Sequence, residues 1–177
     1  MICEMNKKEF DIIFSIMEES FPIDEYRPYD RQKMLLDNPK YKIYVLPDNE
    51  NDKVKAFISI WKLDEFAFVE HFAVNPVCRN QGLGSLILTE IKGMLDCMMC
   101  LEVELPETEL AKRRIEFYKR NGFYLNEYPY MQPPISKGRK PIPLQIMTTD
   151  GPVSEKRFDE IAEIIHNDVY LTAAESR

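Results

Sequence analysis

The sequence predicts a mixed α/β fold in which helices flank a central, mostly antiparallel sheet. Some segments repeat apolar residues every three or four positions, as amphipathic helices do, and others alternate apolar and polar residues, as strands do. Their order is two helices, three strands, a helix, a strand, a helix, two strands and a final helix. The 177 residues, 45% of them hydrophobic, are expected to form a single domain over 1–177. Its core is expected at about 6–149, and 153–170 should form an additional C-terminal helix.

The N-terminal part is predicted to form two helices followed by an antiparallel meander of three strands. Phe10, Ile13 and Met17 fall on one face of the first helix, and Asn38-Pro39 is a stop signal after the second. Polar turn-forming residues at 47–53 separate the first two strands. The predicted elements are helices at about 6–19 and 29–36 and strands at 41–46, 54–61 and 65–74.

The C-terminal part is predicted to alternate helices and strands. Leu101–Leu105 alternates apolar and acidic residues, which is the period of a strand with one exposed face. Gly122 is a natural residue to end the preceding helix, and Ser154 can cap the last one. The predicted elements are helices from Leu83 onward, at 108–121 and from Ser154 through Val169, and strands at 101–105, 123–130 and 143–149.

The charge and hydropathy of the chain exclude several classes of protein. The formal net charge is −7, whereas nucleic acids and anionic membranes require a basic surface on their partners. The negative charge is compatible with a cationic substrate such as an amine. No apolar run is long enough to span a membrane, and the first residues lack the apolar segment of a signal peptide. We therefore expect a cytoplasmic protein.

The cysteines indicate neither a disulfide nor a metal site. In the cytoplasm the four cysteines should be reduced thiols. Cys97 and Cys100 have the CxxC spacing, but no second pair of this kind and no nearby histidine completes a zinc site. We expect buried or half-buried thiols and no metal.

The segment from Phe68 to Leu88 carries the main functional signal. It is predicted to pass from a strand through a turn into a helix, and it holds two of the six glycines of the chain, Gly82 and Gly84. Such a turn presents unpaired backbone N–H groups at a helix start, where the helix dipole also favours an anion. Glycine lets a ligand approach the main chain closely because it has no Cβ. The glycine loop (Arg79–Ser85) is therefore predicted to bind a phosphate-bearing ligand.

Two nucleotide-binding motifs do not match this loop. A P-loop requires Gly-Lys-Ser/Thr after its second glycine, but Gly84 is followed by Ser85 and Leu86. A dinucleotide fingerprint requires a third glycine near position 87, which is Ile87, and a parallel strand–helix–strand unit at the beginning of the chain. The remaining interpretation is a pyrophosphate loop preceded by a strand whose edge is open to a cofactor.

Two motifs in this order resemble the signatures of the GNAT superfamily of acyl-CoA N-acyltransferases. Glu70–Val74 followed by Arg79–Gly84 resembles the first signature. The strand Leu101–Leu105 and the helix segment Arg114–Phe123 resemble the second, and the order of predicted elements is similar to the GNAT-type fold. The resemblance implies transfer of an acetyl group from acetyl-CoA to a primary amine, by direct attack in a ternary complex. No cysteine lies at a catalytic position of either signature, so a covalent acyl-enzyme is disfavoured.

The resemblance also implies how acetyl-CoA would bind. Its pyrophosphate would accept hydrogen bonds from the glycine loop, and its pantetheine arm would pair with the strand at Phe72–Val74. The amide of Val74 would polarise the thioester carbonyl and stabilise the oxyanion. Ala111 departs from the family pattern, since many members have an asparagine there that contacts CoA. The implied cofactor-binding residues are Phe72, Ala73, Val74, Arg79, Gln81, Gly82, Leu83, Gly84 and Ser85.

The same resemblance suggests the catalytic residues. Glu70 is expected to remove a proton from the attacking amine, because aliphatic amines are mostly protonated at neutral pH. The neighbouring His71 is expected to face the opposite side of the strand and to pack or hydrogen-bond beneath the sheet. Tyr118 is expected to donate a proton to the departing CoA thiolate.

Two segments rich in aromatic residues and proline are expected to shape the acceptor site. The acceptor is expected to be a small amine or a peptide amine, and Arg27 could hold a carboxylate group on it. The implied acceptor-binding residues are Tyr26, Arg27, Tyr29, Tyr128 and Tyr130.

Two other functions are open at the level of the sequence. One is a non-catalytic acyl-CoA-binding or sensing domain, which would keep the glycine loop but lack a working base. The other is a partner-binding protein whose last helix docks on a second chain, a role that does not exclude catalysis. A homodimer is compatible with the sequence.

Overall fold

The computed structural model describes residues 1–48 and 53–171, and the chain consists of two compact units. The units are Met1–Lys62 with Val69–Asp96, and Leu63–Phe68 with Cys97–Arg177. Helices and antiparallel strands occur in both, so the mixed α/β class predicted from the sequence is confirmed.

The first unit contains three α-helices and four strands. They are β1 (Cys3–Glu4), α1 (Phe10–Ser20), α2 (Tyr29–Met34), β2 (Tyr41–Asp48), β3 (Lys53–Lys62), β4 (Ala67–Val74, in this unit from Val69) and α3 (Leu83–Met94). The strands follow the order β1-β2-β3-β4, and β2 is antiparallel to both β1 and β3. β3 is buried at every position from Ala56 to Trp61, which indicates that both of its faces are covered, and α1 and α3 contact it.

The apolar faces of α1 and α3 form the core of this unit. Phe10, Ile13 and Met17 of α1 are fully buried, as their spacing predicts. Ile87 and Ile91 are the corresponding buried residues of α3. Burial of these two faces holds β4 and the loop that follows it on a packed support.

The second unit contains two α-helices and three strands. They are β5 (Met99–Glu104), α4 (Glu109–Arg120), β6 (Tyr124–Gln132), β7 (Ile142–Thr148) and α5 (Glu155–Ile165). The strand order is β5-β7-β6, so β7 is central and antiparallel to both neighbours. Thr108 and Ser154 cap the helices, since their side chains accept hydrogen bonds from the N–H groups of Ala111 and Arg157.

Three local features differ from the sequence prediction. Pro47 and Asp48 continue β2 instead of forming the predicted turn, and residues 49–52 of that turn lie outside the described residues. β1 was not predicted, because two residues carry no periodicity. The last helix changes at His166 into a π-helical segment, His166–Leu171, where an uninterrupted helix through Val169 was expected.

Candidate active site

The glycine loop leaves the end of β4 in a conformation that depends on left-handed backbone angles. Asn75 starts a short 3-10 turn, and its side chain accepts a hydrogen bond from the N–H of Val77 at 3.3 Å. Asn80 and Gly82 have φ angles of +62° and +74°. Glycine and asparagine tolerate this region best, so the residue types of the loop match its conformation.

The start of α3 is open. Among the described residues no side chain caps it, and the first helical hydrogen bond runs from the N–H of Leu86 to the carbonyl of Gly82. The N–H groups of Leu83, Gly84 and Ser85 precede that bond and point out of the helix end. A Cβ added at Gly82 would have no atom within 4 Å, so the space beside the loop at this residue is open.

Arg79 connects the loop to the strand. Its Nε donates a hydrogen bond to the carbonyl of Val74 at 3.1 Å. The side chain thus fixes the distance between the end of β4 and the start of the glycine loop. This is a structural contact in addition to the phosphate contact that the sequence suggested.

Burial alternates along the second half of β4. Glu70, Phe72 and Val74 are half-buried, whereas His71 and Ala73 between them are buried. The Glu70 side chain itself is only 2% exposed, so the accessible surface of this residue belongs to its backbone. The sequence predicted the pantetheine arm along the next residues of this strand, Phe72–Val74.

Glu70 and Arg27 form a buried ion pair. Nη1 of Arg27 donates a hydrogen bond to Oε1 of Glu70 at 2.6 Å, and the two side chains are 1% and 2% exposed. Burial alone would raise the pKa of Glu70, but the positive charge and the hydrogen bond of Arg27 outweigh burial and lower it. Glu70 is therefore a carboxylate at neutral pH. The sequence suggested that Arg27 could hold a carboxylate of the acceptor, and in this structure the guanidinium binds the carboxylate of Glu70.

His71 is a buried, neutral imidazole beside this pair. Its Nε2 donates a hydrogen bond to the carbonyl of Glu25 at 2.8 Å, and its Nδ1 lies 3.4 Å from Oγ of Ser59. Burial lowers its pKa, although the negative charge of Glu70 acts in the opposite direction. The expected packing of His71 beneath the sheet is confirmed.

The two neighbouring side chains also approach each other. Nδ1 of His71 is 3.6 Å from Oε2 of Glu70. The backbone N–H of His71 donates a hydrogen bond to Oγ of Ser59 at 3.0 Å.

Two buried polar atoms of this cluster make no hydrogen bond of standard geometry with the described residues, namely Oε2 of Glu70 and the indole Nε1 of Trp61. The indole nevertheless lies close enough to the Glu70 carboxyl to help lower its pKa as a donor. We call Arg27, Ser59, Trp61, Glu70 and His71 the Glu70 cluster.

Tyr118 lies on α4 in the second unit. The residue is 8% exposed, and its ring packs edge-on against those of Phe117 and Phe123, with centroids 5.3 and 5.6 Å away. Burial raises the pKa of Tyr118 to about 12, so the phenol is protonated at neutral pH. The hydroxyl has no hydrogen-bond partner among the described residues of the chain. Ala111, where many family members have asparagine, is buried on the same helix.

The predicted acceptor tyrosines of the first unit pack on α1. The ring of Tyr26 meets Phe14 edge-on at 5.9 Å. The hydroxyl of Tyr29 donates to Asp11 and accepts a hydrogen bond from Nζ of Lys33 at 2.8 Å. Tyr26 lies next to Arg27 in the chain and is buried with it, and Tyr29 lies two residues further on.

The predicted acceptor tyrosines of the second unit contact its C-terminal helix. Tyr128 packs on Phe158 with ring centroids 5.1 Å apart. Tyr130 donates its hydroxyl to Glu102, which also accepts a hydrogen bond from Tyr170 at 2.7 Å. Burial raises the pKa of Tyr130 far above its usual range, and the charge of Glu102 adds to this effect. The sequence did not signal this shared carboxylate, since its partners are distant in the chain.

The described parts of the chain show neither a cluster of metal-binding side chains nor a helix that could span a membrane. No group of three or more His, Cys, Asp or Glu side chains there could hold a metal ion. No helix in residues 1–48 and 53–171 is both long and apolar enough to cross a membrane. The cysteines are unpaired, and Cys100 is buried whereas Cys3 and Cys97 are exposed.

Comparison with known proteins identifies the family. The model of the acetyltransferase (GNAT) family matches residues 8–123. A solved structure from Bacteroides thetaiotaomicron, assigned to the GNAT family of acetyltransferases, is 34% identical with a TM-score of 0.83, and the match covers 96% of this chain and 98% of that one. A search of curated proteins returned no match.

More distant structures share the fold. A variant of spermidine N-acetyltransferase SpeG from Vibrio cholerae is 13% identical with a TM-score of 0.61, and the match covers 84% of this chain and 94% of that one. The ribosomal-protein-S18-alanine N-acetyltransferase of Escherichia coli is 18% identical with a TM-score of 0.62, covering 88% and 96%. The family model spans more than half of the sequence and both glycines of the loop. The chain belongs to the GNAT family of acetyltransferases.

Proposed function

We propose that this protein transfers the acetyl group of acetyl-CoA to the primary amine of a small molecule or peptide, by direct attack in a ternary complex. The observation that carries the proposal is the open start of α3 behind the glycine loop, where no side chain among the described residues caps the helix and the space beside Gly82 is open. A pyrophosphate is the part of CoA that such a helix start binds. Membership of the acetyltransferase family supports acetyl-CoA as its source.

The proposed binding mode uses main-chain groups. The pyrophosphate accepts hydrogen bonds from the backbone of Gln81–Ser85, and Arg79 holds this loop against the carbonyl of Val74. The pantetheine arm pairs with the backbone of Phe72–Val74. The amide of Val74 donates to the thioester oxygen and stabilises the negative charge that develops there.

The proposed chemistry moves two protons. The amine nitrogen attacks the thioester carbon, the C–N bond forms, and the C–S bond breaks. Glu70 accepts the proton that the nitrogen loses, directly or through a water molecule, and passes it to solvent. Its lowered pKa makes it a weak base, so it acts best after attack, when bonding to the acyl carbon has made the nitrogen more acidic. Tyr118 gives its hydroxyl proton to the departing thiolate and recovers a proton from solvent.

The test is acetyl transfer to a panel of amines with acetyl-CoA as donor. The panel should include alkylamines, free amino acids, spermidine and a peptide with N-terminal alanine, because the last two correspond to acceptors named for proteins of the same fold. Release of CoA thiol and the mass of the acetylated product are measured together. Transfer to at least one amine supports the proposal.

A second candidate function is a non-catalytic acyl-CoA-binding or sensing domain. The observation that favours it is the ion pair of Glu70 with Arg27, because a carboxylate held by a cation is a weak proton acceptor. Calorimetric titration with acetyl-CoA separates the two functions. Tight binding without turnover of any amine in the panel would support the sensor and contradict the enzyme.

Gly82→Val should weaken acetyl-CoA binding by at least about tenfold, which corresponds to about 1.4 kcal/mol. A β-branched residue is strained at the φ of +74° found here, and its side chain would occupy the approach to the helix start. The dissociation constant for acetyl-CoA is measured by calorimetry. Gly138→Val is the matched control, because Gly138 has a φ of +84° and is equally open. Equal affinities of the two variants would contradict a binding role for the loop.

A further inference from the structure

We propose that Arg27 is a positioning residue for the reaction. It holds Oε1 of Glu70 so that Oε2 of the same carboxylate stays directed to the amino group of the acceptor. This inference rests on the proposed function, because it assigns the acceptor amine to an atom of Glu70. Arg27 lies outside both family signatures, in the segment between a short 3-10 turn and α2.

The first argument is that the two oxygens of the Glu70 carboxylate have different contacts. Oε1 accepts a hydrogen bond from Arg27 at 2.6 Å, whereas Oε2 has no hydrogen-bond partner among the described residues. Oε2 lies 3.6 Å from Nδ1 of His71, beyond hydrogen-bond distance. A primary amine has the donors that such an oxygen requires.

The second argument is the charge of the cluster. The groups that face Glu70 are Arg27 from the segment before α2, His71 from β4 and Tyr41 from β2. His71 is neutral, and burial raises the pKa of Tyr41, so this phenol is neutral as well. Arg27 therefore supplies the full positive charge that keeps a buried Glu70 ionised. A protonated Glu70 could not accept a proton from the amine.

The third argument is geometry. A short hydrogen bond to a guanidinium that is itself buried fixes the carboxylate plane, and with it the direction in which Oε2 points. The indole Nε1 of Trp61 on β3 is directed at the same carboxyl group, whose pKa it helps to lower.

The test removes the charge of Arg27 in one variant and the planar geometry of its guanidinium in another. In Arg27→Gln the side chain stays polar but loses its charge, so burial is no longer opposed and the pKa of Glu70 should rise above its usual range. NMR titration of 13C-labelled glutamate side chains, with Glu70→Gln for assignment, measures this without any acceptor. In kinetics with the best amine of the panel, kcat/KM of the variant relative to wild type should fall about tenfold per pH unit below the raised pKa.

Two further variants identify the cause. Arg27→Lys keeps the charge but not the planar guanidinium, so kcat should fall while the pH dependence stays that of wild type. In the double variant Arg27→Gln/Glu70→Gln the additional decrease in kcat/KM at acidic pH should disappear, because Glu70 can no longer be protonated. A decrease caused by protonation of His71 would persist. The double variant also removes both charges and leaves no unpaired buried charge. It can therefore still be measured if Arg27→Gln alone folds poorly.

The inference is overturned if Glu70 titrates equally in wild type and Arg27→Gln, or if Arg27→Lys keeps full kcat. Failure of the proposed function looks different. In that case wild type acetylates no amine in the panel, yet the NMR titration of Glu70 still shows whether Arg27 controls its ionisation.

Discussion

Arg27→Met should lower the free energy of unfolding by about 3–5 kcal/mol, because it leaves the Glu70 carboxylate buried without its counter-charge. Both side chains are almost completely buried, so solvent cannot replace the lost partner. Unfolding in urea can be followed by the fluorescence of Trp61, the single tryptophan of the chain, which is itself buried. The size of this effect distinguishes a buried pair from an exposed one.

The control for this prediction is a double-mutant cycle with Glu70→Gln. Arg27→Met/Glu70→Gln removes both charges and should be more stable than Arg27→Met alone. The pKa of Glu70 is lowered in the folded protein, so the stabilisation is fully present above the usual glutamate pKa and disappears as pH falls through the lowered value. The difference in the free energy of unfolding between wild type and Arg27→Met should therefore become smaller at acidic pH. A loss of only about 1 kcal/mol, as for exposed pairs, would contradict the prediction.

Tyr118→Phe should reduce kcat by about 10²-fold or more at saturating acetyl-CoA, because general acid catalysis contributes about 10²–10⁴-fold. The substitution keeps the ring and its contacts with Phe117 and Phe123, so the fold should not change. Since burial raises the pKa of Tyr118 to about 12, the phenol carries its proton throughout the neutral range. The measurement is kcat with an amine that the panel identifies.

Tyr124→Phe is the matched control for this variant. Tyr124 lies nearby in the chain on β6 but is 50% exposed, so loss of its hydroxyl should leave kcat unchanged. Unchanged kcat in Tyr118→Phe as well would exclude this phenol as the acid. Thermal unfolding of both variants should give melting temperatures close to that of wild type.

The helices and the turn chemistry were predictable because their signals are local. The spacing of Phe10, Ile13 and Met17 depends on one helix, and the cap at Ser154 depends on three neighbouring residues. The glycine loop belongs to the same class, since its left-handed positions are occupied by Asn80 and Gly82. β1 escaped prediction because its two residues are a strand only through pairing with β2.

The Glu70 cluster was only partly predictable because its contacts are distant in sequence. Arg27 and Glu70 are separated by 43 residues, and no local pattern indicates that they pair. The contacts of His71 with Ser59 and Glu25 likewise join residues that are distant in sequence. The hydrogen bonds of Tyr130 and Tyr170 to Glu102 were not predictable for the same reason, because these residues are also distant in sequence.

The hydrogen bond from His71 to the carbonyl of Glu25 gives the protein a built-in spectroscopic reporter. A carbonyl can only accept, so it keeps the proton on Nε2 and fixes one tautomer of the ring. The chain has two histidines, so labelling with 15N-histidine produces nitrogen signals from only two imidazole rings. A displacement of the Ile23–Glu25 turn would change the nitrogen shifts of the buried ring. Ligand arrival near Glu70 can thus be followed without attaching a probe.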